Sequence, residues 1–136
     1  MNKRIQLSKN HIRTLSSSLM VVERSLSELE EMLLNQEDTC CNVILRDIDD
    51  STVENNISAI HEAKKYICEL AEKYGTLREE MSLRRIIDAK RTKIWEILMD
   101  ALSRKIKGYG TFPKKHADEF DADIKKLIEI TNRINC

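Results

Sequence analysis

Glycine and proline are scarce in this chain. Its 136 residues contain three glycines and one proline, and none of the four precedes Gly75. These two residue types end helices and form the turns between strands. Their scarcity argues against a sheet of short strands in the first half of the chain and favours long helices.

Long apolar runs and an excess of charge of either sign are also missing. The first twenty residues lack the continuous apolar segment of a signal or an anchor, and no later stretch could span a bilayer. The 23 basic residues are balanced by 23 acidic ones, so net charge provides no general attraction to nucleic acid or to an anionic membrane. We expect a cytoplasmic protein without membrane contact.

The cysteines and histidines form no recognisable ligand pattern. No CxxC pair, HExxH sequence or Glu-x-x-His pair is present. The four cysteines have no framework spacing, and we expect them to be reduced thiols: Cys40, Cys41, Cys68 and Cys136. We therefore expect neither a metal site nor a cofactor.

A heptad pattern of apolar residues extends from residue 5 to residue 33, and only Ser8 departs from it. Alternating spacings of three and four over about four heptads are typical of a helix that packs along one seam. We expect this seam to organise the fold and a dimer. It consists of Leu15, Leu19, Val22, Leu26, Leu29 and Leu33.

Capping-box patterns locate the next two helix starts. Ser51, with a glutamate three residues later, predicts that a second helix begins after a connection at residues 36–50. Gly75 is suited to end that helix in the left-handed conformation. Thr76 has the same glutamate spacing, which predicts that a third helix follows at once through a tight antiparallel corner.

The remaining apolar spacings predict a third helix over residues 77–106 and a fourth over residues 114–134. Four amphipathic helices with short connections favour an all-α antiparallel four-helix bundle with a long first helix. We expect residues 1–136 to form a single helical-bundle domain.

The first helix also suggests self-association. At ~1.5 Å per residue it would be roughly 50 Å long, against about 33 Å for the second and fourth helices, so part of its seam would lack a neighbour. Residues 1–22 carry four bases and no acid, whereas residues 23–54 carry ten acids and two bases. Two first helices packed antiparallel would place these opposite charges side by side. We therefore expect a homodimer.

The segment IKGYGTFPKKHADEF, residues 106–120, contains two of the three glycines, the only proline and three of the six aromatic residues. We interpret it as a helix–helix corner, with Gly108 and Pro113 at the helix boundaries and two aromatic rings closing the end of the bundle. The alternative is a ligand or partner site, in which the helix start and its lysines hold an anion. Its candidate residues are Tyr109, Phe112, Lys114, Lys115 and His116.

Nucleic-acid binding is one alternative function. The segments 84–93 and 104–115 are basic, and the second of them also contains aromatic residues. Acidic residues interrupt the positive charge of the third helix, so the sequence shows no clean basic stripe. We keep these two segments as candidate contacts and expect nucleic acid to be the less favoured partner.

Phosphotransfer is the other alternative. The segment IHEAKKY, which contains His61, resembles the phosphoacceptor box of histidine kinases and helical-bundle phosphotransfer proteins, although Tyr66 stands where the kinase box has proline. The resemblance implies that His61 takes a phosphoryl group from an acidic partner site.

The sequence contains no recognisable nucleophile–base pattern and no glycine-rich cofactor loop. It therefore predicts a non-enzymatic protein that acts by protein–protein interaction, in an adaptor, assembly or regulatory role, with a protein partner that the sequence does not identify.

Overall fold

The computed structural model describes residues 4–135 of the chain. All regular secondary structure in this part is helical, which confirms the all-helical prediction. Five α-helices follow one another, and a 3₁₀ turn at Lys107–Tyr109 follows the fourth. They are α1 (Lys9–Leu34), α2 (Asp50–Tyr74), α3 (Leu83–Asp100), α4 (Ser103–Ile106) and α5 (Lys114–Thr131).

The chain divides into two compact units, Met1–Glu79 and Glu80–Cys136. In the first unit α1 packs against α2, and in the second α3 packs against α5 while the short α4 contacts both. We call these units the first hairpin and the second hairpin. None of the helices in residues 4–135 is long and apolar enough to cross a membrane.

The helices of each hairpin run antiparallel. In the first hairpin, Ile5 precedes α1 and donates its N–H to the carbonyl of Lys73, at the end of α2, over 2.9 Å. In the second, Ser103 follows α3 and bonds to Asp121 in α5, while Arg91 in α3 reaches the carbonyl of Ile134 beyond α5. The start of one helix therefore lies beside the end of its neighbour in both units.

The start of α1 differs from the prediction because Ser8 caps the helix. Its side chain accepts a hydrogen bond from the N–H of His11 at 3.2 Å, which satisfies one of the free donors of the first turn. Ser8 is also the residue that interrupts the heptad. Ile5 lies outside α1, so the heptad pattern that begins at residue 5 starts before the helix does.

The predicted difference in length between the first two helices was also wrong. The α1 helix has 26 residues and α2 has 25, whereas α3 and α5 have 18 each. At ~1.5 Å per residue, the helices of the first hairpin are therefore about 11 Å longer than those of the second.

Asp49 caps α2, and the prediction of Ser51 was wrong by two residues. The Asp49 carboxylate accepts from the N–H of Thr52 at 2.8 Å. Hydrogen bonds from the Thr52 side chain and backbone lower the pKa of Asp49. A negative charge at this position also suits the positive end of the helix dipole, which favours Asp49 over the serine two residues later.

Gly75 ends α2 in the left-handed conformation, with φ of 65°, as predicted. Thr76 belongs to the same helix end, because its N–H bonds to the carbonyl of Ala71 at 3.0 Å. It is therefore not the cap of a third helix, and the predicted tight corner was wrong. Ser82 caps α3 instead, where it accepts from the N–H of Arg85 at 3.3 Å.

The predicted third helix is broken after Asp100. In a continuous helix the N–H of Ser103 would bond to the carbonyl of Met99. It donates instead to the carboxylate of Asp121 at 2.8 Å, so a separate short helix, α4, begins there. The break also brings Leu102 into the interior, where it is buried.

Few side chains are buried in the described residues. Ile60 and Ile67 form the buried centre of the first hairpin, and Leu102 and Ile128 that of the second. Many other large apolar side chains in both hairpins remain exposed. Two antiparallel helices can bury only one side of each other, which leaves further apolar surface to be covered.

Candidate interaction surfaces

The predicted seam of α1 divides into two sets in the structure. Four of the six seam residues are half-buried: Leu15, Leu19, Leu26 and Leu33. The other two, Val22 and Leu29, are each 47% exposed. The structure therefore does not place the six seam residues in one environment.

Glu30 shows which side of α1 faces α2. Its carboxylate lies 2.7 Å from Nε2 of His61 and 3.5 Å from Nζ of Lys64. At 3.6 residues per turn, Glu30 lies on the same side of α1 as Leu26, whereas Leu29 is turned away from that side. A straight helix drifts by about 20° per heptad relative to a strict seven-residue repeat. Because of this drift, Glu30 rather than Leu29 faces α2 at this level of the helix.

Three uncovered apolar residues lie on one flank of α1, to the side of its contact with α2: Val22, Leu29 and Met32. Because α1 and α2 are antiparallel, helical periodicity places this flank of α1 beside the flank of α2 that contains Tyr66 and Leu70. Leu70 is half-buried, and the other members are exposed. We call this surface the first apolar face. It consists of Val22, Leu29, Met32, Tyr66 and Leu70.

A corresponding surface lies on the second hairpin. The same reasoning places Ile86 and Ile97 of α3 beside Phe120 and Leu127 of α5. Ile97 and Leu127 are exposed, and the other two are half-buried. We call these four residues the second apolar face. Helical spacing alone does not separate the buried apolar positions of α3 and α5 from the uncovered ones.

The aromatic residues of the predicted corner have different environments. Phe112 packs on Phe120 with 4.8 Å between ring centroids. Tyr109 is 96% exposed, so the prediction that both rings close the end of the fold was wrong for Tyr109. The break before α4 turns the chain early, and Tyr109 then lies in an exposed 3₁₀ turn.

An open cavity of about 380 Å³ lies beside Phe112, and we call it the corner cavity. Of the five predicted corner residues, Phe112 and Lys114 line it, whereas Tyr109, Lys115 and His116 are exposed outside its lining. Sequence reasoning missed most of the lining, although Arg104 belongs to a segment already identified as basic. The lining consists of Ser103, Arg104, Thr111, Phe112, Lys114 and Ala117.

Asp121 fixes one wall of the corner cavity. Its two carboxylate oxygens accept from the N–H and the hydroxyl of Ser103, at 2.8 and 2.7 Å. The backbone bond and then the side-chain bond from Ser103 lower the pKa of Asp121. No local pattern links residues eighteen positions apart, so the sequence provided no signal for this contact.

We expect Asp121→Asn to weaken the fold at neutral pH and to flatten its acid sensitivity. The folded pKa lies below the unfolded value of about 3.9, so the carboxylate stabilises the fold above that pH and loses this contribution as pH falls through the folded pKa. Urea midpoints at several values between about pH 7 and pH 2 measure the difference. Asp123→Asn, an exposed change in the same helix, serves as the control. Parallel acid profiles for wild type and Asp121→Asn would contradict the assignment.

The remaining candidate residues are dispersed. The His61 side chain is 63% exposed, and its Nε2 is engaged by Glu30. In the basic segment 84–93, Arg91 donates to Asp88 at 3.4 Å and to the carbonyl of Ile134 at 3.3 Å. Across residues 4–135, no three side chains of the metal-binding types lie close enough together to hold an ion.

No protein-family model matches the chain, and neither a curated protein nor a solved structure matches it. The two apolar faces and the corner cavity are therefore interpreted from their own chemistry.

Proposed function

We propose that this protein is a non-enzymatic helical-bundle protein that acts through protein–protein contact, in an adaptor, assembly or regulatory role, and that it functions as a homodimer in the cytoplasm. The observation that supports the proposal is the pair of apolar faces, one on each hairpin. Exposed apolar surface is unfavourable by about 25 cal/mol per Å². Contiguous apolar surface of this kind marks a site of association.

The proposal includes the antiparallel four-helix bundle that the sequence predicts. Residues 1–79 contain fourteen acids and ten bases, whereas residues 80–136 contain nine acids and thirteen bases. The two hairpins therefore have net charges of −4 and +4. Opposite net charges favour contacts between a first hairpin and a second hairpin.

A second copy would cover apolar surface that is exposed on the first hairpin. Met32 is 65% exposed and lies at the edge of the first apolar face. In an antiparallel pair of α1 helices, the basic half with Lys9 and Arg13 lies beside the acidic half with Glu28 and Glu31. The pairing therefore brings together opposite charges and the edges of two apolar faces.

The free and exposed thiols of Cys40, Cys41 and Cys68 support the proposed compartment. Thiols remain reduced in the cytoplasm and are oxidised in most secreted proteins.

Sedimentation equilibrium of wild type, Met32→Asp and Leu34→Asp tests the dimer. Leu34 is a matched control, because it is 64% exposed and lies on another side of the same helix. We expect wild type and Leu34→Asp to have the mass of a dimer at low and moderate salt. Met32→Asp should be a helical monomer, since the change replaces an apolar side chain of the contact with a carboxylate that would have to leave water. A monomeric wild type at both salt concentrations would overturn the dimer.

A further inference from the structure

The connection between α1 and α2 folds back on itself. The N–H of Thr39 donates to the carbonyl of Asn42 at 2.9 Å, and the N–H of Ile44 donates to the carboxylate of Asp38 at 2.9 Å. The guanidinium of Arg46 donates to the carbonyl of Gln36. These contacts pair successive positions on the two arms of the loop, so residues 36–49 adopt a defined conformation without helix or strand.

This loop presents apolar side chains to solvent. Val43 is 85% exposed and Leu45 is 78% exposed, whereas the intervening Ile44 is half-buried. Residues 36–49 also contain four acids and one base. We call this segment the acidic loop. An ordered loop with two exposed aliphatic side chains among carboxylates is suited to bind an apolar site with a positive rim.

The corner cavity of the second hairpin has these properties. Its walls are mostly apolar, and Arg104 and Lys114 are among the residues that line it. The residues that line it include these two bases and no acid. The neighbouring carboxylate of Asp121 is occupied by two hydrogen bonds from Ser103. The volume of about 380 Å³ is at the low end of sites that hold small ligands, roughly 300–1,000 Å³. It is suited to a few side chains.

We propose that the acidic loop of one copy docks into the corner cavity of a second copy, with Val43 and Leu45 against Phe112 and the loop carboxylates beside Arg104 and Lys114. The inference rests on the proposed homodimer and identifies a second contact within it. Under two-fold symmetry each copy donates one loop and accepts one loop, so the contact occurs twice and the assembly closes as a dimer.

Charge reversal on the two surfaces tests the docking. The loop variant combines Glu37→Lys with Asp47→Lys, and the cavity variant combines Arg104→Glu with Lys114→Glu. All four side chains are exposed, so we expect both variants to keep the far-ultraviolet circular dichroism of wild type. Each variant alone places like charges together at both contacts and should dimerise at least tenfold more weakly at low salt. An equimolar mixture should form a heterodimer, because both of its contacts are then complementary.

Two further samples separate the possible failures. The control Glu62→Lys with Glu69→Lys makes the same charge change on the exposed surface of α2 and should dimerise as wild type does. If both charge-reversed variants dimerise like wild type, the docking is overturned while the homodimer stands. If wild type itself is monomeric, the homodimer and the docking fail together. If both variants are monomeric and the mixture remains monomeric, the loop and the cavity do not contact each other.

Discussion

Replacing Ile60 with alanine is expected to lower the free energy of unfolding by about 2–5 kcal/mol, the range for a large-to-small change at a buried site. Ile60 is 3% exposed in the centre of the first hairpin. Within residues 4–135 only three other side chains are buried, so little neighbouring core exists to compensate for the cavity. Urea denaturation followed by circular dichroism measures the change.

Leu77→Ala is the control for Ile60→Ala. Leu77 is 80% exposed in the connection between the hairpins, and its truncation should change the free energy of unfolding by less than about 0.5 kcal/mol. The same experiment also bears on the proposed four-helix bundle. If the hairpins pack together, Ile60→Ala and Ile128→Ala should each shift one common unfolding transition. Two separate transitions, each sensitive to only one of these changes, would refute the four-helix bundle.

Leu26→Asp is expected to unfold the first hairpin at room temperature. Leu26 is half-buried on the side of α1 that faces α2. A fully buried leucine contributes about 1.5–3 kcal/mol, and the change removes the part of this that the half-buried Leu26 provides. It also introduces a carboxylate into the contact between the helices. Whole domains are stable by only about 5–15 kcal/mol. The loss of helical circular dichroism in the absence of denaturant measures this effect.

Ser27→Asp separates burial from helix propensity in that experiment. Ser27 is the next residue along α1 and is exposed, so the same new carboxylate should leave the helix content unchanged. A fully helical Leu26→Asp protein with the dimer mass of wild type would show that this position is not part of the α1–α2 contact.

The apolar faces connect these stability predictions to the proposed function. Residues such as Ile60 and Leu26 hold one hairpin together, whereas Met32 and Leu29 contribute little to the hairpin and remain available for association. Substitutions in the first set should lower the helix content. Substitutions in the second set should change the molar mass and leave the helix content unchanged.

The helical character of the chain was predictable from sequence because it depends on local properties. The scarcity of glycine and proline and the spacing of apolar residues act within one or two turns of a helix. Gly75 was identified correctly for the same reason, since its left-handed conformation is a property of the residue itself. The helix starts were less certain, because several serine, threonine and aspartate residues near each boundary compete for the same backbone donors.

The tertiary structure alone decided which of the apolar residues are covered. Leu26 and Leu29 belong to the same heptad seam, yet only the first faces α2, because a straight helix drifts away from a seven-residue repeat. The break before α4 likewise depends on a distant residue. The N–H of Ser103 donates a hydrogen bond to Asp121, which lies eighteen residues further along the chain. Ser103 is also one of the residues that line the corner cavity. Local sequence determined where helices could form, whereas contacts between distant residues decided where they break and which faces remain available for partners.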